Sequence, residues 1–568
     1  MSRARSFGLR CAGILLAAVV LPMAAPAADR PPSAAIASAH PLATDAGREV
    51  LDAGGNAFDA AIAVAAALAV VEPYSSGLGG GGFFLLHRAA DGKEVMIDGR
   101  ETAPQAASAD MYLDAGGKVE PKKSRDGALA AAIPGIPAAL DHLARHYARL
   151  PLARDLAPAI KLAREGFAVT DRYRLLTGFR TALLRQSPTA AAVFLSAGEV
   201  PPVGQTIVQP DLAVTLEAIA KRGAAGFYRG SVAQHLVDGV RAVGGIWTLD
   251  DLARYRVIER RPIIGHYRGM RVVSVPPPSS GGVLLIEMLN ILAHYDLTAL
   301  DDITRKHLIV EAMRRAYRDR AVYLGDPAFF KVPVAWLTAM SYADRLSASI
   351  HLDRATPSAS LPAPPLEPKK EAYNTTHFSI IDTEGNRVSA TLSINLPYGC
   401  GVMPPGTGVI LNDEMDDFSA KPDTPNAYKL IGGKANAIAP GKRPLSSMTP
   451  TFVETSDRIG ILGTPGGSRI ITMVLLGVLD FAAGHGPASW VRVPRFHHQY
   501  LPDVIQFETG GLTDIEQAGL RRKGHALKSV GRAYGDMQAV EWDRRKGEVM
   551  AASDPRGEGS AIVFLPHK

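Results

Sequence analysis

The sequence predicts a large mixed α/β protein, and three observations lead to that class. The chain has 568 residues, far more than one small core requires. Its composition, 47% hydrophobic and 21% charged, is ordinary for a globular protein. Helical periodicity at 57–71, 283–294 and 304–324 alternates with strand-like runs at 83–86 and 263–275.

The first 27 residues have the pattern of a secretory signal peptide. Three arginines precede a mostly apolar run at 11–22, and Ala25-Pro26-Ala27 matches a small-residue cleavage site. A retained membrane anchor is the alternative, but Pro22 and the cleavage site argue against it. We therefore predict a periplasmic or secreted protein.

Removal of residues 1–27 changes the charge and the cysteine count. The formal net charge falls from +6 to +3, because the segment holds three arginines and no acidic residue. Nucleic acid is therefore not a predicted partner. Cys400 remains as a lone thiol and cannot form an internal disulfide. The later apolar run at 60–71 is too short to cross a bilayer, so no membrane span is expected after the signal is removed.

The elements in the first half follow in order. Residues 28–45 form a polar, Ala/Pro-rich lead, and a buried helix at 57–71 comes next. Four glycines at 79–82 then precede a strand, which indicates close backbone approach. A phosphate loop is the alternative, but the Lys-Ser/Thr ending is missing and a strand follows instead of a helix. Arg100 leaves the end of the next strand, where a guanidinium could reach a carboxylate in bidentate fashion.

The middle of the chain is mainly helical to about residue 262 and ends in a linker. Strands at 263–275, a Pro/Ser/Gly turn at 276–282 and two further helices follow. Four prolines between 361 and 368 predict an exposed linker, which leads directly into Asn374-Thr375.

The peptide bond between Asn374 and Thr375 is a candidate for self-cleavage. Cleavage would make Thr375 an N-terminus, with its hydroxyl as nucleophile and its α-amine as base. The alternative is an ordinary polar strand start. A β-hairpin is predicted over 376–395 with its turn near Glu384-Gly385, so Thr375 would lie opposite Ser393 or Ile394, close to Asn395.

Several motifs in their order along the chain resemble the γ-glutamyltransferase (glutathione hydrolase) family of the N-terminal-nucleophile hydrolases. They extend from about residue 35 to the C-terminus and are Gly77-Leu78-Gly79-Gly80-Gly81-Gly82-Phe83, Pro278-Ser279-Ser280-Gly281-Gly282, Leu324-Gly325-Asp326-Pro327, Asn374-Thr375-Thr376-His377, the acidic stretch through Asp417, Pro444-Leu445-Ser446-Ser447-Met448 and Pro465-Gly466-Gly467-Ser468-Arg469. The resemblance implies a four-layer αββα sandwich. It also implies a large subunit, 28–374, and a small subunit, 375–568, from one precursor.

The resemblance also implies a role for each matching residue. Thr375 is the nucleophile, Asn374 and Thr375 form the processing site, and Ser393 supports the nucleophile where the family usually has Thr. The other expected roles are α-carboxylate binding by Arg100, Ser446 and Ser447, α-ammonium binding by Asn395, Glu414 and Asp417, oxyanion binding by Gly466 and Gly467, and a lid at Tyr428. These residue types suit a zwitterionic γ-glutamyl group, because a planar cation matches its carboxylate and fixed carboxylates match its ammonium.

The implied reaction needs no metal and no cofactor. A γ-glutamyl-enzyme ester would form by attack on glutathione or a related amide. Its γ-glutamyl group would pass to water or to an acceptor amino acid or dipeptide. The predicted partners are thus small-molecule substrates and the two subunits themselves.

Two other functions stay open at this stage. A glutaryl or cephalosporin acylase could have the same fold, and an exported amino-acid-binding protein would need no catalysis. His497-His498 could be read as metal ligands, but neighbouring residues on a strand face opposite ways. Asp416 is expected to be structural or solvated, Cys400 is not expected to be a nucleophile, and Tyr428 could be only a surface lid tip.

Overall fold

The structure is a computed structural model that describes residues 30–361, 375–421, 426–430 and 432–567. Its helices are α1 Pro41–Asp52, α2 Ala57–Val71, α3 Ile136–His146, α4 Leu152–Glu165, α5 Asp171–Leu184, α6 Pro188–Phe194, α7 Pro210–Arg222, α8 Ala225–Tyr228, α9 Gly230–Ala242, α10 Leu249–Arg254, α11 Gly281–Leu292, α12 Asp302–Tyr323, α13 Val334–Leu337, α14 Met340–Ala348, α15 Ile470–Ala482, α16 Pro487–Trp490 and α17 Asp514–Arg522. The predicted signal peptide, the linker from 362 onward and Asn374 lie outside the described residues.

The strands form two large antiparallel sheets and two small ones. They are β1 Ala34–Ser38, β2 Gly81–Arg88, β3 Lys93–Gly99, β4 Phe167–Ala168, β5 Thr206–Ile207, β6 Ile258–Arg260, β7 Ile263–Tyr267, β8 Met270–Ser274, β9 Thr376–Ile381, β10 Arg387–Ser393, β11 Thr451–Glu454, β12 Arg458–Gly463, β13 Phe496–His497, β14 Ile505–Phe507, β15 Leu527–Ser529, β16 Gln538–Asp543, β17 Glu548–Ser553 and β18 Ser560–Phe564. The first large sheet has the order β18-β1-β9-β10-β2-β3-β6, and the second has the order β17-β16-β12-β11-β8-β7.

The two large sheets pack face to face, and helices cover the outside of each. Alternation along β1 divides its side chains, because Ala34 and Ile36 join the core beneath α1 and α2 whereas Ala35 and Ala37 join the core shared with the second sheet. Helices α11 and α15 cover the other face of the second sheet, and α12 packs against α11. The predicted four-layer αββα sandwich is confirmed.

Helix α2 shows why the layers hold together. All fifteen of its residues are buried and all but Asp59 are apolar, as expected of a helix between a sheet and other helices. Its start is fixed by Asn56, whose side chain accepts hydrogen bonds from the backbone of Phe58 and Asp59, while Asp59 accepts from the Asn56 backbone. The prediction of a buried helix at this position is confirmed.

One part of the predicted order is wrong. The stretch at 28–45 is not simply a polar lead, because Ala34–Ser38 is a fully buried strand between β18 and β9. Both of its faces are covered, and its alanines are small, so it lacks the polar alternation that marks a half-exposed strand. Among the described residues, no helix has the length and apolar character that a membrane crossing requires.

Candidate functional site

Thr375 lies immediately before β9 and beside the end of β10. The hairpin pairs Thr376 with Leu392, so the next residues along the two strands are Thr375 and Ser393. Their hydroxyl oxygens are 3.4 Å apart, and both residues are buried. The predicted hairpin and its register are confirmed.

The loop after β10 is held in shape by polar contacts. Asn395 has a φ of 74°, and its backbone N–H donates to the Ser393 hydroxyl at 2.9 Å. Its side-chain amide donates to the carbonyl of Asp413 at 2.9 Å. The Tyr428 hydroxyl donates to the Asn395 carbonyl at 2.9 Å. Tyr428 is therefore a buried wall of the site and not an exposed loop tip.

Arg100 follows β3 directly and lies among carboxylates. Its guanidinium is 2.7 Å from Glu414, 2.5 Å from Asp417 and 3.4 Å from Glu101. Its Nε donates to the carbonyl of Pro444 at 3.1 Å. Three carboxylates thus surround the guanidinium of Arg100 in a buried setting.

The pKa values of Arg100, Glu101 and Glu414 reflect both their burial and their mutual charges. Burial acts to lower the pKa of Arg100, but the carboxylates of Glu414, Glu101 and Asp417 raise it above its ordinary value. Burial raises the pKa of Glu414 well above its usual range and that of Glu101 to about 7, although Arg100 opposes both shifts. The site is thus suited to accept a further cationic group.

The turn after β12 brings two glycines to the site. Gly466 and Gly467 have φ values of 145° and 57°, in the region that favours glycine. The Tyr428 ring packs against Gly467 so closely that an added Cβ would lie 2.4 Å from it. Any side chain at Gly467 would therefore displace the tyrosine or the turn.

Two adjacent serines complete the opposite wall. The Ser446 backbone N–H donates to the Pro278 carbonyl at 2.8 Å, and the Ser280 hydroxyl donates to the Ser446 carbonyl at 2.8 Å. The Ser447 hydroxyl accepts a hydrogen bond from Arg320 at 3.3 Å. The Pro/Ser/Gly turn at 276–282 therefore orients Ser446, and Arg320 on α12 orients Ser447.

Most of the predicted site residues line one narrow cavity of about 20 Å³, which is room for roughly one water molecule. Those that line it are Arg100, Thr375, Ser393, Asn395, Glu414, Asp417, Tyr428, Ser446, Ser447 and Gly467. Gly466 precedes Gly467 in the chain and so lies next to the cavity. A Cβ added at Gly466 would point toward Met473 and not into the cavity.

Two buried acids near the site were missed at the sequence level. Glu101 adds a third carboxylate beside Arg100, and its position directly after a strand-end arginine was the available signal. Glu72 is the C-cap residue that follows α2, and it accepts a hydrogen bond from the Thr376 hydroxyl at 2.7 Å. No local pattern connects residues 72 and 376, so only the tertiary structure reveals this contact.

The surroundings of the candidate metal ligands disfavour a metal ion. His497 contacts Thr472 and Gln499, whereas His498 contacts Asp503, so the two rings have separate surroundings. His307, Glu311 and His525 bring ligand atoms within 4.8 Å of one another. Glu311, however, already forms ion pairs with Arg314 and Arg315, whose positive charges oppose a metal ion.

Cys400 and Asp416 are both buried outside the cavity. Burial raises the pKa of the Cys400 thiol to about 12, which disfavours the reactive thiolate. Asp416 accepts hydrogen bonds from the Ser124 hydroxyl at 2.5 Å and from the Ala427 N–H at 2.8 Å. Asp416 thereby anchors the segment that carries Tyr428.

We expect Glu72 to make the stability of the protein depend on pH. Burial raises its pKa from 4.5 to about 7, although Arg172 and Thr376 lower it in part. Between these two values the folded protein binds more protons than the unfolded chain, so stability falls as pH rises through the window. Glu72→Gln should therefore raise the free energy of unfolding at pH 8 by roughly 1–3 kcal/mol and change little below pH 4.5.

Urea unfolding of both proteins at several pH values measures this effect. Glu49→Gln is a matched control, because Glu49 is an exposed glutamate on α1. Parallel pH profiles for the wild type and Glu72→Gln would contradict the expectation.

Comparison with known proteins agrees with the geometry. The family model described as Gamma-glutamyltranspeptidase matches residues 43–564. The glutathione hydrolase proenzyme of Escherichia coli is 42% identical over 526 residues, which cover 92% of this chain and 90% of that protein.

Two solved structures show the same similarity. The gamma-glutamyltranspeptidase of Helicobacter pylori has 42% identity and a TM-score of 0.56, covering 57% of this chain and 94% of that chain. A cephalosporin acylase from Bacillus halodurans has 29% identity and a TM-score of 0.82, covering 97% of this chain and 99% of that chain. Because the family model spans nearly the whole sequence, the chain belongs to the gamma-glutamyltranspeptidase family of enzymes.

Proposed function

We propose that the protein is a self-processed γ-glutamyltransferase and glutathione hydrolase. The observation that carries the proposal is that the Thr375 hydroxyl, the Ser393 hydroxyl and the Arg100 ion-pair cluster share one buried cavity. A nucleophile and a charged recognition site for a zwitterion thus lie side by side.

The recognition step is an exchange of ion pairs. Arg100 contacts Glu414 and Asp417 in the structure. The γ-glutamyl group carries one carboxylate and one ammonium. Its carboxylate can bind the guanidinium of Arg100, while its ammonium binds the side-chain carboxylates that Arg100 releases. Each buried charge keeps an opposite partner, which avoids the cost of an uncompensated ion. In this role Ser446 and Ser447 assist Arg100, and Asn395 assists the carboxylates.

The chemical step begins at the Thr375 hydroxyl. The α-amine of Thr375 takes the hydroxyl proton as the oxygen attacks the γ-carbonyl carbon. The backbone N–H groups of Gly466 and Gly467 stabilise the resulting oxyanion. Collapse of the intermediate breaks the γ-amide bond, and the leaving amine receives the proton. Water or an acceptor amine then attacks the ester and restores the Thr375 hydroxyl.

The active protein is proposed to consist of two chains outside the cytoplasm. Cleavage after Ala27 and between Asn374 and Thr375 would give fragments 28–374 and 375–568. N-terminal sequencing of the purified protein is expected to find a chain that begins Thr-Thr-His. Recovery of one intact chain only would exclude self-processing and would favour the alternative of an amino-acid-binding protein.

The acylase alternative differs in the substrate's α-ammonium. A glutaryl group lacks this cation and would leave the acid-rich cluster around Glu414 and Asp417 without an added partner. We therefore expect faster turnover of a γ-glutamyl anilide than of its glutaryl analogue, by roughly tenfold or more. Faster cleavage of the glutaryl compound in steady-state assays would favour an acylase.

Ser393 is expected to assist Thr375 through its hydroxyl. The Ser393→Ala variant loses this group and should slow turnover of the γ-glutamyl anilide by roughly 2- to 10-fold, the usual effect of one neutral hydrogen bond. Ser393→Thr keeps the hydroxyl and serves as the matched control, with kcat near that of the wild type. Equal rates for all three proteins would remove Ser393 from the mechanism.

A further inference from the structure

Arg320, near the end of α12, is a buried arginine behind the two serines of the site. It is 4% exposed, and its Nε donates to the Ser280 hydroxyl at 3.0 Å. A terminal nitrogen of the same guanidinium donates to the Ser447 hydroxyl at 3.3 Å. The Ser280 hydroxyl in turn donates to the Ser446 carbonyl at 2.8 Å. One cation thus supports both serines, although Arg320 itself does not line the cavity.

This arginine lacks the carboxylate partner that its neighbours on the same helix have. Arg315 pairs with Glu311 at 2.6 Å, and Arg318 pairs with Asp319 at 2.5 Å. Among the residues that the structure describes, no carboxylate forms an ion pair with Arg320. Burial of a cation without an opposite charge is unfavourable, and it lowers the pKa of Arg320 to about 10. Local rules of stability are broken in this way mainly at functional sites.

Arg320 also interacts with the ion-pair cluster at the cavity. Asp417 acts to raise the pKa of Arg320 from beyond ion-pair distance, whereas the charge of Arg100 acts to lower it. In the proposed exchange of ion pairs, the carboxylate of Asp417 binds the ammonium of the substrate. Arg100 and Arg320 are then two like charges with the carboxylate of the substrate as their shared opposite charge, which favours its binding.

The hydrogen bonds at the two serines leave the hydroxyl protons available to a ligand. The Ser447 hydroxyl accepts from Arg320, and the Ser446 hydroxyl accepts from the Met448 N–H at 3.1 Å. Each hydroxyl has one proton to donate, and neither donates it to another residue that the structure describes. Both serines line the cavity, so a carboxylate there can accept from them. The cation polarises the Ser447 hydroxyl and so strengthens the hydrogen bond that this hydroxyl donates.

We propose that Arg320 is a positioning residue for the carboxylate of the substrate and that it acts through the Ser447 hydroxyl. The inference rests on the proposed function, because it requires a donor with a free carboxylate. It applies equally to a γ-glutamyl donor and to a glutaryl donor, since both carry that group. Arg320 does not touch the reacting atoms, so its loss should change KM and leave kcat nearly unchanged.

The Arg320→Met variant tests this role, because it removes the charge and keeps most of the side-chain length. We expect KM for the γ-glutamyl anilide to rise by about tenfold and kcat to stay within a factor of about two, as for loss of one charge-assisted contact. The unfolding midpoint in urea should equal that of the wild type or exceed it, because a buried cation without an ion-pair partner is gone. Arg320→Lys keeps the charge and should restore most of the affinity.

Arg318→Met is the matched control on the same helix. It should lower the unfolding midpoint, because Asp319 loses its cationic partner, and it should leave KM unchanged. The opposite signs separate a positioning role from a structural one.

A double-mutant cycle with Ser447→Ala tests the route of the effect. Ser447→Ala should raise KM in the wild type and add little in the Arg320→Met background, because the two residues act as one unit. Additive losses would overturn the proposal that Arg320 acts through Ser447.

Two further results would overturn the proposal. One is a wild-type KM in a folded Arg320→Met protein. The other is a lower unfolding midpoint in Arg320→Met together with a raised KM that Arg320→Lys does not restore, which would make Arg320 a structural residue.

Failure of the proposed function would be recognised separately, because neither anilide would then be turned over. The role of Arg320 is still measurable in that case through binding of free L-glutamate and glutarate. Each compound should raise the unfolding midpoint of the wild type more than that of Arg320→Met. Equal shifts in the two proteins would overturn the role of Arg320 whatever the reaction is.

Discussion

The Thr375→Ala variant is expected to remain a single chain and to lose turnover of a γ-glutamyl anilide by roughly 10⁴-fold or more. The substitution removes the hydroxyl that we propose attacks both the Asn374–Thr375 bond and the substrate. It removes little volume, and the hairpin beyond it is held by β1 and β2 on either side, so the fold should persist. A denaturing gel and steady-state kinetics on the same preparation measure both losses.

Thr375→Ser is the matched control for this variant. It keeps the hydroxyl and loses one methyl group, so it should still be cut and should retain measurable turnover. A cut and active Thr375→Ala protein would show that another residue is the nucleophile. An uncut Thr375→Ser protein would show instead that the methyl group is needed for processing.

Arg100→Lys is expected to lower kcat/KM for the γ-glutamyl anilide by about 100-fold or more, mainly through a higher KM. Lysine keeps the charge but cannot contact the substrate carboxylate in bidentate fashion. It also cannot reach Glu414, Asp417 and the Pro444 carbonyl at the same time, as the guanidinium does. Processing should be unaffected, so a two-chain pattern on the gel shows that the variant has folded.

Arg254→Lys is a suitable control, because this arginine is exposed and is paired with Asp250, one turn away on α10. It should leave kcat/KM within a factor of about two, as expected for a surface ion pair. A folded, processed Arg100→Lys protein with wild-type KM would contradict the assignment of Arg100 to carboxylate binding.

Much of the site could be predicted from the sequence, because several of its residues lie in short segments whose local pattern indicates their position. The hairpin register followed from alternation and a turn, and it placed Thr375 beside Ser393, as the structure has them. Arg100 was recognisable as a cation at a strand end, whereas the paired glycines at 466–467 were assigned as oxyanion donors only through the family resemblance. In such cases neighbours in sequence decide the geometry.

Features that depend on distant parts of the chain were not predictable in this way. Strand β1 is five residues of mostly alanine, and only its position between β18 and β9 identifies it as central. The Glu72–Thr376 hydrogen bond joins residues 304 positions apart. Burial and pairing between sheets determine these features, and a single sequence does not display them.

The order of strands in the two sheets determines how the two fragments stay together after the proposed cut. In the first sheet β1 lies between β18 and β9, so a strand from before residue 375 is paired on both sides with strands from after it. In the second sheet β8 and β11 join the two portions. Once cut, the fragments are interleaved and can separate only by global unfolding. Reassembly would then require two molecules to meet, so heat inactivation should become irreversible at low protein concentration although the uncut precursor could refold.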